Sequence, residues 1–207
     1  MHPTISIRQD GMRYLGSDES SGWIWQAGRV LATQLLSSSS VDLRKLRILE
    51  LGSGTGWLAL TLAHEGAIVT ATERPGAVAL LTRNVYGHLD RIARTNSDIS
   101  DMEVDSISVE VEQCKWEDAT RVPGEFDIII GSDILYLVES YAPLLNTLLI
   151  HNCKRCILTW EERIPEEEAL FLVLAAAAGF AFEPPMHVAT NEVTNNRIWY
   201  LDMSFSG

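Results

Sequence analysis

The sequence predicts a doubly wound α/β fold: a mostly parallel, seven-stranded sheet with a C-terminal antiparallel hairpin. Three observations predict it. Short β-branched runs alternate with longer helical stretches, the sign of a parallel sheet with crossover helices. A glycine-rich turn, Gly52-Ser53-Gly54-Thr55-Gly56, follows the first of these runs at once. Beyond Gly179 the alternation stops, and two strand-like runs joined directly must pair antiparallel.

Taken in order, Val30 to Leu36 reads as a helix and Ser37 to Ser40 as the linker after it. Leu46 to Leu51 is the first strand. Trp57 to His64 has helical spacing and ends before Gly66, a glycine suited to the left-handed residue that closes a helix. Ala67 to Thr72 is the second strand. Pro75 is expected to open the next helix, where its missing N–H costs nothing, with Val78, Leu81 and Val85 on the buried face. Asp90 to Ser106, rich in Asp, Ser, Asn and Arg, breaks the rhythm and is read as a surface connection where disorder is expected. Ile107 to Val111 alternates as a strand, and Phe126 to Ile130 is a strand buried on both faces. Helical spacing returns over Tyr141 to Ile150, Arg155 to Trp160 is a fifth strand, and Glu166 to Ala178 is a helix ending at Gly179. Phe180 to Ala189, a polar turn at Asn191 to Asn196, and Arg197 to Met203 close the sheet.

The 207 residues, 46% hydrophobic and 21% charged, suffice for one globular domain. Residues 1–40 form an N-terminal extension and helix, and residues 41–207 the core. No apolar run approaches the ~20 residues of a membrane helix. Met1 to Gly16 has no apolar stretch of the kind that directs secretion, and the three cysteines suit a reducing compartment. Cys153-x-x-Cys156 has no second pair and leads into a strand, so no metal is expected. A net charge of −12 argues against a nucleic-acid backbone as partner and towards a basic one. His64, His88 and His151 are scattered near helix ends and are read as structural.

The glycine turn lies where a nucleotide-type ligand binds, between the first strand and the helix that follows. Its spacing is G-x-G-x-G; Trp57 stands where a pyrophosphate fingerprint needs its third glycine, which disfavours a dinucleotide. Glu73 ends the second strand about 20 residues on, where an acid can accept hydrogen bonds from both ribose hydroxyls. Together they point to an adenosine-type cofactor.

Glu50 to Gly56 also resembles the first motif of the seven-β-strand, class I S-adenosylmethionine-dependent methyltransferases, and the closing hairpin resembles their antiparallel strand. Further segments are similar to the branch of protein-lysine methyltransferases that modifies elongation factors and chaperones (methyltransferase family 16). Gly22-Trp-Ile-Trp25-Gln-Ala27 resembles that branch's G-x-x-W motif, with Gln26 a departure from the usual residue. Lys115-Trp116-Glu117-Asp118 resembles the tryptophan–acid turn after the third strand, and Ser132-Asp133-Ile134-Leu135-Tyr136 the D-x-x-Y motif after the fourth.

The resemblance implies S-adenosyl-L-methionine as cofactor and S-adenosyl-L-homocysteine as product. Glu50, Gly52, Ser53, Gly54, Glu73, Trp116, Ser132 and Trp25 would bind it, with Trp116 against the adenine and the Trp25 indole N–H able to reach the methionine carboxylate. Asp118 could bond the exocyclic amine. Asp133 and Tyr136 would be the catalytic pair, Asp133 orienting an incoming lysine and Tyr136 lining its channel. Asp133 could also cap the following helix. The implied function is methyl transfer to a lysine of a non-histone protein. The net charge favours a basic surface on that partner, no membrane or nucleic-acid partner is expected, and a monomer is the default for a domain of this size with no heptad seam. The cytoplasm is the expected location, with the nucleus as alternative. Alternatives are a small-molecule acceptor, another protein nucleophile such as histidine, or a non-catalytic cofactor-binding adaptor. A nucleobase enzyme would carry an N/D-P-P-Y/W segment in place of Ser132 to Tyr136.

Overall fold

The computed structural model describes residues 5, 7–9, 20–38, 41–96, 107–118, 121–152 and 154–205. Helix α1 (Gln26–Ser37) leads into strand β1 (Arg47–Leu51), followed by α2 (Trp57–His64), β2 (Ile68–Glu73), α3 (Val78–Asn96) and β3 (Ser108–Gln113). Next come β4 (Ile128–Ser132), α4 (Tyr141–Ile150), β5 (Arg155–Glu161) and α5 (Pro165–Ala177). Strands β6 (Phe180–Phe182), β7 (Met186–Thr190) and β8 (Arg197–Phe205) close the chain. All eight belong to one sheet of order β3-β2-β1-β4-β5-β8-β6, with β7 also on β8. Strands β1 to β5 run parallel, and β8 runs antiparallel to β5, β6 and β7.

This is the expected doubly wound sheet. Its eighth strand arises where the run expected as one strand, Phe180 to Ala189, breaks at Glu183-Pro184-Pro185. Neither proline has an N–H for the ladder, so β6 and β7 pair with β8 separately.

Alternation along the strands sends side chains to two cores. Leu49, Leu51, Ile129, Cys156 and Leu158 face α4 and α5, where Tyr141 and Phe171 are buried. Ile48, Ile128, Ile130 and Ile157 face the other way, against Leu31, Leu60, Leu81 and Val85 of α1, α2 and α3. The chain builds outward from β1 through β2 to β3, then crosses back to β4. The reversal leaves a crevice at the C-terminal ends of β1 and β4, the place where doubly wound sheets bind ligands.

Helix α3 differs from expectation at both ends. Helix α3 begins at Val78, because Pro75 sits inside a turn that the Ala77 and Val78 amides close on the Arg74 carbonyl, 3.0 Å each. The same helix runs on to Asn96, so 90–96 are helical and not a surface connection. The apolar spacing of Leu81 and Val85 continues at Leu89 and Ile92, enough to carry the helix through the polar stretch. The rest of the expected connection, 97–106, lies outside the described residues, as do Cys153 and two serines of the 37–40 linker. Among the described residues no helix is long and apolar enough to cross a membrane.

Candidate active site

The crevice is a cleft of about 370 Å³ lined by the glycine turn, the acid end of β2, the turn after β3, the end of β4 and the segment before α1. Its floor is the turn after β1. Gly52, Gly54 and Gly56 hold φ of 68°, 53° and 81°, the left-handed region that glycine adopts without a steric penalty. A Cβ on Gly52 would stand 2.8 Å from Ile134 Cγ2, and one on Gly54 would stand 3.2 Å from the Ser21 carbonyl oxygen. Side chains would fill the cradle.

Hydrogen bonds lock this turn to β2. The Ser53 amide donates to the Thr72 carbonyl (2.8 Å), the Thr72 amide donates to Ser53 Oγ (3.1 Å), and the Thr72 hydroxyl donates to the Glu50 carbonyl (2.7 Å). Ser53 is therefore part of the scaffold that shapes the turn. Glu73 completes it: Oε2 accepts from the Gly54 amide at 2.9 Å and Oε1 from the Arg74 amide at 3.0 Å. A carboxylate has about four acceptor positions, so one that holds two amides can also take a ribose hydroxyl.

Glu50 is 1% exposed, and its Oε2 has no hydrogen-bond partner among the described residues. Burial pushes its pKa up to about 7, opposed by a hydrogen bond from Ser53 and reinforced by the charge of Glu73. A buried acid beside a glycine cradle, with an acceptor oxygen unspent, suits a cationic group on a ligand. Trp116, half-buried, leans towards the turn: the Gly52 Cβ position lies 3.9 Å from its Cζ2. Asp118 turns to Lys115 at 3.3 Å and is absent from the cleft lining. At the far wall Ser132 Oγ would lie 3.2 Å from a Cβ on Gly28 of α1, and Trp25 and Tyr136 flank the opening, 40% and 41% exposed. Trp23 is also a wall of the cleft, whereas Trp160 is core.

Asp133 is buried and held in the left-handed region (φ 58°), its amide donating to the Thr159 carbonyl at 2.7 Å. Its carboxylate caps no helix: the N-cap of α4 is Ser140. It accepts instead from the Glu161 amide (3.2 Å) and, in a two-pronged pair, from Arg163 Nη1 and Nη2 (2.7 Å each). Arg163 also stacks over Trp25, 5.4 Å from the ring centroid. Sequence reasoning did not single out Arg163. Its signal was its position just past the C-terminal end of a parallel strand, where side chains reach the crevice.

His64, His88 and His151 lie off the cleft. His64 and His88 meet Nε2 to Nε2 at 2.8 Å, and burial lowers the His88 pKa to about 4. His151 accepts from the Val122 amide through Nε2 (2.9 Å), so its Nδ1 carries the proton and donates to the Thr147 carbonyl (2.7 Å). That neutral tautomer ties the loop before β4 to α4.

A cleft at the reversal point of such a sheet, floored by a glycine turn and an acid-tipped second strand, defines a class I methyltransferase architecture. Magnesium protoporphyrin IX methyltransferase from Synechocystis PCC 6803, solved with bound S-adenosylmethionine, superposes with a TM-score of 0.58 over 87% of this chain and 79% of that one. At 17% identity the likeness is one of fold. Residues 2–177 match the lysine methyltransferase family model, and the chain belongs to that family. Among curated relatives, the protein N-lysine methyltransferase METTL21A of Danio rerio is 35% identical over 127 residues, 60% of this chain and 52% of the relative. EEF1A lysine methyltransferase 3 of Mus musculus is 31% identical over 130 residues, 63% of this chain and 50% of the relative. The chain thus spans about half the length of these relatives.

Proposed function

We propose that the chain is an S-adenosylmethionine-dependent methyltransferase acting on a lysine side chain of a non-histone protein. The observation that carries the reading is the unspent Glu50 oxygen buried beside a glycine cradle that Glu73 braces. Membership of the lysine methyltransferase family supplies the acceptor class. When bound, the cofactor supplies a sulfonium methyl that passes to a nitrogen lone pair, leaving S-adenosylhomocysteine while the amine's proton goes to water.

The chain's own residues bind and orient. Glu50 offers its carboxylate to a cationic group, and Glu73 offers its own to hydroxyls. Trp116 presents a flat apolar face for a base, a contact worth about 1–3 kcal/mol. Ser132 and Trp25 close the side towards α1. Tyr136 and Trp25 border the opening through which an alkyl stem would pass, and Asp133, its carboxylate forked by Arg163, lies beneath and orients what enters. Positioning supplies much of the acceleration in such a displacement. The net charge of −12 favours a protein partner with a basic surface, and one relative is named for methylating a protein, EEF1A. We place the chain as a monomer in the cytoplasm, with the nucleus as the alternative.

The test is transfer of labelled methyl into a hypomethylated cell lysate, wild type beside Asp133→Ala. One discrete protein band, acid-stable as methyl-lysine and lost in the variant, is the expected result. Label confined to small molecules or RNA would overturn the reading.

A further inference from the structure

Arg163 is held from both ends. Glu168 Oε1 accepts from its backbone amide at 2.6 Å, while its guanidinium forks onto Asp133 and donates to the Glu161 carbonyl at 3.3 Å. The side chain is about one-third exposed, and it lines the cleft together with Asp133, Trp25 and Tyr136. We propose that Arg163 is a positioning residue of the transfer site: as resident partner of Asp133 it presents the acceptor with a neutral ion pair in place of a bare carboxylate, and it braces Trp25 at the opening. The inference rests on the lysine methyltransferase reading.

The chemistry favours such a partner. Transfer needs the lysine lone pair, and an ordinary lysine ionises about 3 units above neutral pH. A bare carboxylate in a sheltered site would hold the ammonium form and raise its pKa further. A bidentate guanidinium spends that carboxylate and leaves the cavity close to neutral there. Glu161, with a side-chain oxygen 4.0 Å from Arg163 Nη2, and Glu168 add negative charge behind the pair, away from the opening. The other charged groups of the cleft lining are Glu50, Glu73, Glu117, Arg74 and Lys115. The pair also fixes geometry. Asp133 holds a left-handed backbone that costs free energy unless neighbours enforce it, and the Arg163 fork is among the contacts that do so.

The experiment compares wild type, Arg163→Met, Arg163→Lys and the double variant Arg163→Met with Asp133→Asn. Each is assayed for labelled transfer into the wild type's protein band over a series of hypomethylated-lysate concentrations at saturating S-adenosylmethionine. S-adenosylhomocysteine affinity, measured by calorimetry, reports that each variant is folded. For Arg163→Met the maximal rate should fall at least tenfold while the half-saturating lysate concentration stays level or drops, because the freed carboxylate now grips the ammonium. Arg163→Lys should be faster than Arg163→Met. The double variant, relieved of the bare charge, should also be faster. A double variant no faster than Arg163→Met, with half-saturation rising as the rate falls, would overturn the inference. Should Arg163→Met fail to bind S-adenosylhomocysteine, the Arg163→Lys split between rate and half-saturation decides in the same way. If wild type labels no protein, it is the functional reading that fails.

Discussion

The Gly54 amide donates to Glu73 Oε2 across 2.9 Å, so the acid at the tip of β2 holds the glycine turn after β1 before any ligand arrives. A residue expected to read a ribose is thus also a strut of the site that it serves. Glu73→Gln puts an NH2 donor against one of two amide donors, Gly54 or Arg74. A lost hydrogen bond of this kind costs about 1–3 kcal/mol. Calorimetric titration with S-adenosylhomocysteine should show affinity down about tenfold or more, together with a lower melting temperature. Unchanged affinity would remove Glu73 from the binding site.

Glu50 makes cofactor affinity depend on pH. Its folded pKa near 7 lies above the ordinary carboxylate value, so at neutral pH the carboxyl is partly protonated. A cationic ligand favours the ionised form, and binding therefore expels a proton. Titrations of S-adenosylmethionine in buffers of different ionisation enthalpy should report proton release near pH 7, with affinity tightening from pH 6 to 8. Glu50→Gln should flatten both. Because the buried acid costs stability as pH rises from about 4.5 to about 7, the same variant should melt higher than wild type without ligand at pH 8.

Trp116→Ala should weaken S-adenosylhomocysteine binding by about 1–3 kcal/mol, roughly five- to 150-fold, with little change in melting temperature. Trp116 is half-buried at the edge of the core, so the cost should fall on the ligand more than on the fold. A large drop in stability with affinity intact would make Trp116 a packing residue.

Acid should loosen the fold through its histidines. His88, lowered to about 4, and His151, lowered by burial, stay neutral in the folded chain where an unfolded histidine takes a proton near 6.5. The unfolded state therefore binds more protons below that pH, and the stability that these groups contribute is lost as pH falls from about 6.5 towards 4. Thermal melts from pH 7 to pH 5 should show a falling midpoint. His88→Gln should lessen the slope, and an identical slope in that variant would assign the effect elsewhere.

Much of this molecule was legible in its sequence because two signals agree in most elements. Ile128-Ile129-Ile130 reads as a doubly buried strand and is one, with exposures of 4% or less. Tyr141–Ile150 has the boundaries that its spacing gives. The glycine turn and Glu73 were legible as a pair because strand geometry fixes both at one edge of the sheet. What was not legible depends on longer relationships. From Leu89 to Asn96 the chain holds neither proline nor glycine to stop a helix, yet its polar composition outweighed the apolar spacing of Leu89 and Ile92. Arg163 gave no motif of its own; its meaning comes from Asp133, 30 positions earlier in the chain and brought within 2.7 Å by the pairing of β4 with β5.

The turn between β7 and β8 offers an experimental handle. Glu161 accepts hydrogen bonds from Asn191, Thr194 and Asn196 while standing two positions from Arg163, and Val193 at the crest is 93% exposed. A dye attached through Val193→Cys would ride on a loop anchored to the same buried carboxylate that backs the cleft. A change in its emission when a hypomethylated lysate is added would show that the turn senses what enters the cleft.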